Sequence, residues 1–218
     1  MTEAELWSYL RDATRERKER LFECACCRQV WQELKDERSR QAIIVAEEYA
    51  DGLATDEELQ LVSDSACVVW DADRVGVLPP SEVPHNLFLH MPYSAAAYNV
   101  AIPMGWWGGA PAFDAPSSII AEAAPDGEAM RASQLALLRD IVGNPARPIV
   151  INPAWLMSDV VALAHQIYEA RDFSAMPILA DAIQDAGCDN DDILNHCRDA
   201  NQPHVRGCWV VDLVLGKE

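Results

Sequence analysis

Apolar residues recur along this chain at helical spacing, each run bounded by a start or stop signal, and no strand-length alternation accompanies them. Thr55-Asp56-Glu57-Glu58 has the S/T-x-x-E form of a capping box, and it opens a run through Leu59, Val62, Ala66 and Val69 to about Asp73. Asp36 stands where an N-cap is needed for the run Ala42, Val45, Ala46, Tyr49, and Asp51-Gly52 stops it. Met1 to Glu19 carries Leu6, Trp7 and Leu10 at helical spacing. From Leu21 to Leu34 a stripe of Leu21, Cys24, Cys27, Trp31 and Leu34 is widened by Phe22, Cys26 and Val30 into an arc broad enough to face a core. Four helices joined by short turns predict a helical bundle over residues 1–74.

Residues 75–125 break the pattern. Eight prolines punctuate the stretch, and Gly105, Gly108 and Gly109 surround Trp106-Trp107. A short helix is expected at Ser94 to Ile102 and a helical turn from Ser117, with irregular Pro/Gly/Trp-rich chain around them. Periodicity returns at Asp126 to Val142, where Leu135, Leu138 and Val142 align before Gly143-Asn144-Pro145. Ile149-Val150-Ile151 reads as a few extended residues, and Ser158 as the cap of a helix with Val161, Ala164, His165 and Tyr168 on its inner side. Helices are expected at Ser174 to Ala186, Asp191 to Arg198, and from Pro203 to Gly216. The fold class is therefore all-α: a bundle (1–74), an irregular segment (75–125) and a C-terminal helical lobe (126–218), expected to pack with the bundle as one compact unit.

Charge narrows the partners. The net charge of −18 disfavours nucleic acid and anionic membranes, whose affinity comes from Lys and Arg meeting phosphates. Residues 11–40 differ, holding nine of the seventeen basic residues against seven acids. No apolar stretch approaches the roughly 20 residues that cross a bilayer. The acidic start Met1-Thr2-Glu3-Ala4-Glu5 lacks the apolar core of a signal peptide. Seven cysteines, an odd number, with Cys24, Cys26 and Cys27 clustered, fit reduced thiols, and a cytoplasmic location is expected.

Several strings are distinctive: Leu21-Phe-Glu-Cys-Ala-Cys-Cys-Arg28, Asp36-Glu-Arg-Ser-Arg40, Tyr49-Ala-Asp-Gly52, Leu138-Arg-Asp-Ile-Val-Gly-Asn-Pro145, Asn152-Pro-Ala-Trp-Leu156, Leu179-Ala-Asp-Ala182 with Ala186-Gly-Cys188, and the ending Pro203-His-Val-Arg-Gly-Cys-Trp-Val-Val-Asp-Leu213. On these the chain resembles a large paralogous family of uncharacterised planctomycete proteins over roughly residues 1–60 and 126–218. The middle departs, since the relatives carry Ala-rich helical sequence there. The resemblance implies kinship and brings no activity, cofactor or catalytic residue.

Chemistry-bearing residues divide into two groups. Cys24 and Cys27 have the gap of a zinc pair, yet on a helix they point into the same apolar stripe as Trp31 and Leu34, where free thiols act as small hydrophobes. The C-terminal set holds soft and borderline donors: Cys188, Cys197, His204 and Cys208, with His196 beside Cys197. His204 and Cys208, four apart on an expected helix, share a face; Cys188 and Cys197 come from the two preceding elements. That group is the candidate for a structural zinc site. The adjacent His196 and Cys197 lie about 100° apart on a helix, so only one faces a given ion without distortion. His85 and His90, five apart near prolines, do not have the i, i+4 spacing of a helical metalloprotease pair. His165 reads as a hydrogen-bonded core residue, and the acid pairs Asp71/Asp73, Glu47/Glu48 and Asp191/Asp192 as solvated faces or helix starts.

No nucleophile elbow, thiol-protease signature or phosphate-cradling glycine loop occurs, so catalytic residues are not assigned. The leading expectation is a non-enzymatic helical scaffold that binds another protein or peptide through Met104, Trp106, Trp107 and Phe113, because glycine-flanked tryptophans make interface anchors. No cofactor is needed for that role. The alternatives are the structural zinc protein, and an enzyme with a pocket between the helical lobes.

Overall fold

A computed structural model describes residues 3–10, 16–77, 92–102 and 115–217. Among the described residues there are eleven α-helices and no strand. The helices are α1 (Glu3–Leu10), α2 (Glu16–Gln29), α3 (Glu37–Ala50), α4 (Asp56–Val77), α5 (Pro92–Val100), α6 (Pro116–Ala123), α7 (Gly127–Val142), α8 (Ser158–Ala170), α9 (Met176–Asp185), α10 (Asp191–Arg198) and α11 (Trp209–Leu215). The all-α expectation holds. None of these helices is long and apolar enough to cross a membrane.

Local rules account for most boundaries. Asp36 Oδ1 accepts the Arg38 amide at 2.9 Å, capping α3. The capping box is closed both ways: the Thr55 amide donates to Glu58 Oε2 at 2.8 Å, and the Glu58 amide to Thr55 Oγ1 at 3.2 Å. Gly52 and Gly143 adopt φ of +71° and +66°, the left-handed stops that end α3 and α7.

Other boundaries shift. A 3-10 turn at Trp31–Glu33 follows α2, where a continuous helix to Leu34 was expected. Met157 rather than Ser158 is the N-cap of α8, whose buried face is Val160, Ala164, Ile167 and Tyr168. That face is offset from the expected one, which leaves His165 exposed instead of in the core. The last helix begins at Trp209, not Pro203.

The chain divides into two compact units, one of Met1–Lys18 with Leu135–Glu218 and one of Glu19–Gln134. This division falls elsewhere than the composition suggests, and hydrogen bonds explain why. Arg17 binds Asp212 and the Tyr168 hydroxyl, and Lys18 donates to the Ile141 carbonyl at 3.0 Å, which ties the start of the chain to its C-terminal part.

In the Glu19–Gln134 unit, α3 packs on α4 and α5, and α5 on α4 and α6. The α2 segment is buried through Arg20–Cys27, with Leu21, Phe22, Cys24, Ala25, Cys26 and Cys27 as its apolar members. Two buried charges on it cap the helices of the stretch expected to be irregular. Arg20 Nη1 donates to the Val100 carbonyl at 2.6 Å, where the dipole of α5 is negative. Glu23 accepts from the Ser117 amide at 2.7 Å and its hydroxyl at 3.0 Å, at the positive start of α6. Glu47, expected on a solvated face, is buried instead and held by Arg28 through two bonds of 2.6 and 2.7 Å.

In the other unit, α8 packs against α9 and α11, and α10 against α9 and α11. Its core joins Val160, Ala164, Ile167 and Tyr168 to Leu179, Ile183, Ile193, Leu194 and Val210.

Candidate metal centre

Four side chains with metal-ligating atoms converge in the unit formed by Met1–Lys18 and Leu135–Glu218: Asp140, His196, His204 and Cys208, one donor atom from each lying within 4.8 Å of the others. Asp140 sits in the last turn of α7 with none of its surface exposed, on the same buried side as Leu137 and Ile141. A carboxylate there opposes the helix dipole, so it requires partners. His196 occupies the last turn of α10, a helix started by Asn190, whose Oδ1 accepts the amides of Asp192 and Ile193 at 3.0 and 3.2 Å. Cys208 is the N-cap of α11, and His204 belongs to the non-helical segment 199–208 before it.

Asp140 organises that segment. Its Oδ2 accepts the Val205 amide at 2.9 Å, while Oδ1 faces His204 Nδ1 at 2.8 Å and His196 Nε2 at 3.1 Å. The Gln202 side chain donates to the Ala136 carbonyl of α7 at 3.1 Å, and the Cys208 amide to the Val205 carbonyl at 2.9 Å. Gly207, at φ +92°, makes the turn that brings Cys208 back. Cys208 Sγ then lies 3.2 Å from His196 Nε2 and 3.9 Å from His204 Nδ1. Trp209 closes one side, its indole centre 5.0 Å from that of His196.

These spacings bracket the edges of a small tetrahedral site, the two Asp140–imidazole contacts being hydrogen-bond lengths that would have to open by about half an ångström. Zinc bonds of about 2.0–2.3 Å imply donor–donor edges of about 3.3–3.8 Å, and the four contacts just given run from 2.8 to 3.9 Å. The donor set is one carboxylate, two imidazoles and one thiol, which suits a borderline ion. One carboxylate and one thiolate would also neutralise a divalent cation, leaving no net buried charge.

Electrostatics set the resting protonation. Burial works against the Asp140 charge, but the His196 and His204 imidazoles outweigh it and hold the carboxyl below its ordinary value. Burial pushes the Cys208 thiol well up and the Asp140 charge adds to this, while the amides of Val211 and Val210 at the start of α11 work the other way. Cys208 is thus a neutral thiol at neutral pH.

Of the four expected donors, His204 and Cys208 are in the cluster and Cys188 and Cys197 are not. Both lie in the core, 3% and 1% exposed. Burial, with the Asp140 charge second, raises the Cys197 thiol to about 12. Because adjacent residues of α10 point in different directions, Cys197 faces the core with Ile193 and Leu194, and His196 points into the cluster. His204 and Cys208 meet through a turn and not along a helix face. Asp140 was missed, though an acid in the final turn of an apolar helix face was the available signal.

Cys24, Cys26 and Cys27 are buried thiols, each raised well above the ordinary value mainly by burial, and the described residues place no metal cluster there. His85, His90, Met104, Trp106, Trp107 and Phe113 lie outside the described residues.

No family model, curated protein or solved structure matches this chain.

Proposed function

We propose that this is a zinc-stabilised helical protein, with a structural ion held by Asp140, His196, His204 and Cys208. The observation that carries the reading is the convergence of four donor atoms, from α7, α10 and the segment 199–208, within 4.8 Å of one another. The side chains of Asp140, His196 and His204 are 0%, 12% and 7% exposed, and Cys208 is fully buried, so an ion there would take four protein donors and leave little access for a substrate. That favours a structural over a catalytic role.

Magnitudes favour metal over a purely hydrogen-bonded cluster. Without an ion, the two imidazoles donate to Asp140, each bond contributing about 1.5–3 kcal/mol. Structural zinc contributes about 10–16 kcal/mol at neutral pH in small zinc domains. An ion bound with a free energy of that order would outweigh the two hydrogen bonds.

The test is metal analysis of the purified chain together with cobalt(II) substitution. One equivalent of metal is expected, and cobalt should give the intense visible bands of a tetrahedral site plus a thiolate charge-transfer band that Cys208→Ser removes. A folded protein that takes up neither ion identifies the four residues as a hydrogen-bonded core cluster and ends the zinc reading.

The purpose of such a scaffold would be the recognition of a protein or peptide partner by Met104, Trp106, Trp107 and Phe113, a reading supported by the glycine-flanked tryptophans of the sequence. Trp106→Ala with Trp107→Ala should leave the melting temperature unchanged and remove a partner captured by the wild-type chain; an unchanged partner list refutes it.

A further inference from the structure

A cavity of about 460 Å³ lies in the unit that carries the four donors and shares none of them. Its volume is within the range of small-molecule sites. Three cations line it, Lys18, Arg147 and Lys217, against two carboxylates, Asp192 and Asp212. In a chain of net charge −18, a wall richer in cations than in acids runs against the average. Both carboxylates are engaged by arginines: Arg17, which is not part of the lining, binds Asp212 at 2.7 and 3.0 Å, and Arg147 faces Asp192 at 3.3 Å.

The lysines are positioned by their surroundings. Lys18 donates to the Ile141 carbonyl in the last turn of α7 at 3.0 Å, and the Lys217 ammonium stands 4.8 Å from the centre of the Tyr168 ring. Ile149 adds an apolar surface.

We propose that this cavity binds a small molecule with an oxyanion head, a phosphate or a carboxylate, on a short apolar body. Lys18, Arg147 and Lys217 address the head, and Ile149 the body. The negative charge of the rest of the chain repels polyanions, so the ligand is small and singly headed. The site is independent of the zinc reading.

Isothermal titration of the full chain at low salt tests it, with phenyl phosphate, 3-phenylpropionate and the neutral 3-phenylpropanol as probes. At least one anion should bind at one equivalent and about tenfold more tightly than the alcohol, and comparison of the two anions tells phosphate from carboxylate. Arg147→Gln, at an exposed position, should weaken binding about fivefold. Ile149→Trp should abolish it by filling the cavity; if that variant does not fold, Arg147→Gln decides alone. No anion binding at millimolar concentration, equal binding of the alcohol, or anion binding unchanged by Arg147→Gln overturns the proposal.

Discussion

On the proposed zinc reading, removing zinc from the Asp140–His196–His204–Cys208 cluster should lower the melting temperature by an amount that mass action sets. A ligand bound only by the folded chain stabilises it by about 4.1 kcal/mol when its free concentration is a thousand times Kd. In a chain of this length each kcal/mol moves Tm by about 2–4 °C, so zinc at that excess should raise Tm by about 8–16 °C over the same protein in chelator. The metal-free protein should still fold, because Asp140 keeps the Val205 amide at 2.9 Å and its contacts to His196 and His204. Cys208→Ser exchanges the soft donor for a hard hydroxyl in the same volume. A hundredfold weaker affinity at tenfold excess over the new Kd leaves about 1.4 kcal/mol, or roughly 3–6 °C. Calorimetric melts of wild type and Cys208→Ser, each in zinc and in chelator, form a four-cornered cycle whose coupling isolates the metal. Identical wild-type melts in zinc and chelator refute the reasoning, as does a Cys208→Ser chain that responds to zinc as strongly as wild type.

Zinc binding should release one proton, from the raised Cys208 thiol, so apparent affinity should rise about tenfold per pH unit between pH 7 and 8; titration in buffers of different ionisation enthalpy reads the proton directly. In chelator, the lowered Asp140 carboxyl contributes stability that is complete above the ordinary carboxylate range near pH 4 and is lost as pH falls through its lower folded value; Asp140→Asn should flatten that acid limb in a pH series of denaturant melts. Gly143→Ala should cost about 2–4 kcal/mol, because φ is +66° and the added Cβ would stand 2.9 Å from Trp209 Cγ; chemical denaturation measures it. Glu23→Ala should cost about 2–4 kcal/mol by orphaning the Ser117 amide and hydroxyl in the core of the other unit, and hydrogen exchange should show α6 opening first.

Helices were legible because their causes are local. The capping box of Thr55 and Glu58, the Asp36 cap and the left-handed stops at Gly52 and Gly143 each depend on residues within one turn, and each is where the spacing puts it. Helix faces were less legible where the apolar arc is wide. In α8 the stripe through His165 and the one through Ile167 are close competitors, and packing against α9 and α11 decided between them.

The donor set shows where local reasoning stops. His204 and Cys208 stood out by residue type and nearness, and both belong to the cluster. Cys188 and Cys197 stood out equally and are core residues. Asp140, fifty-six positions before His196, joins because α7 is packed against the segment 199–208, to which it is bonded at Val205 and Gln202. Helix ends, caps and burial periods are thus written into neighbouring residues, since a hydrogen bond or a dipole acts over one turn. Which imidazole, thiol and carboxylate meet is a property of the packed chain, because bringing distant segments together is decided by the fit of whole helix faces and not by any residue alone.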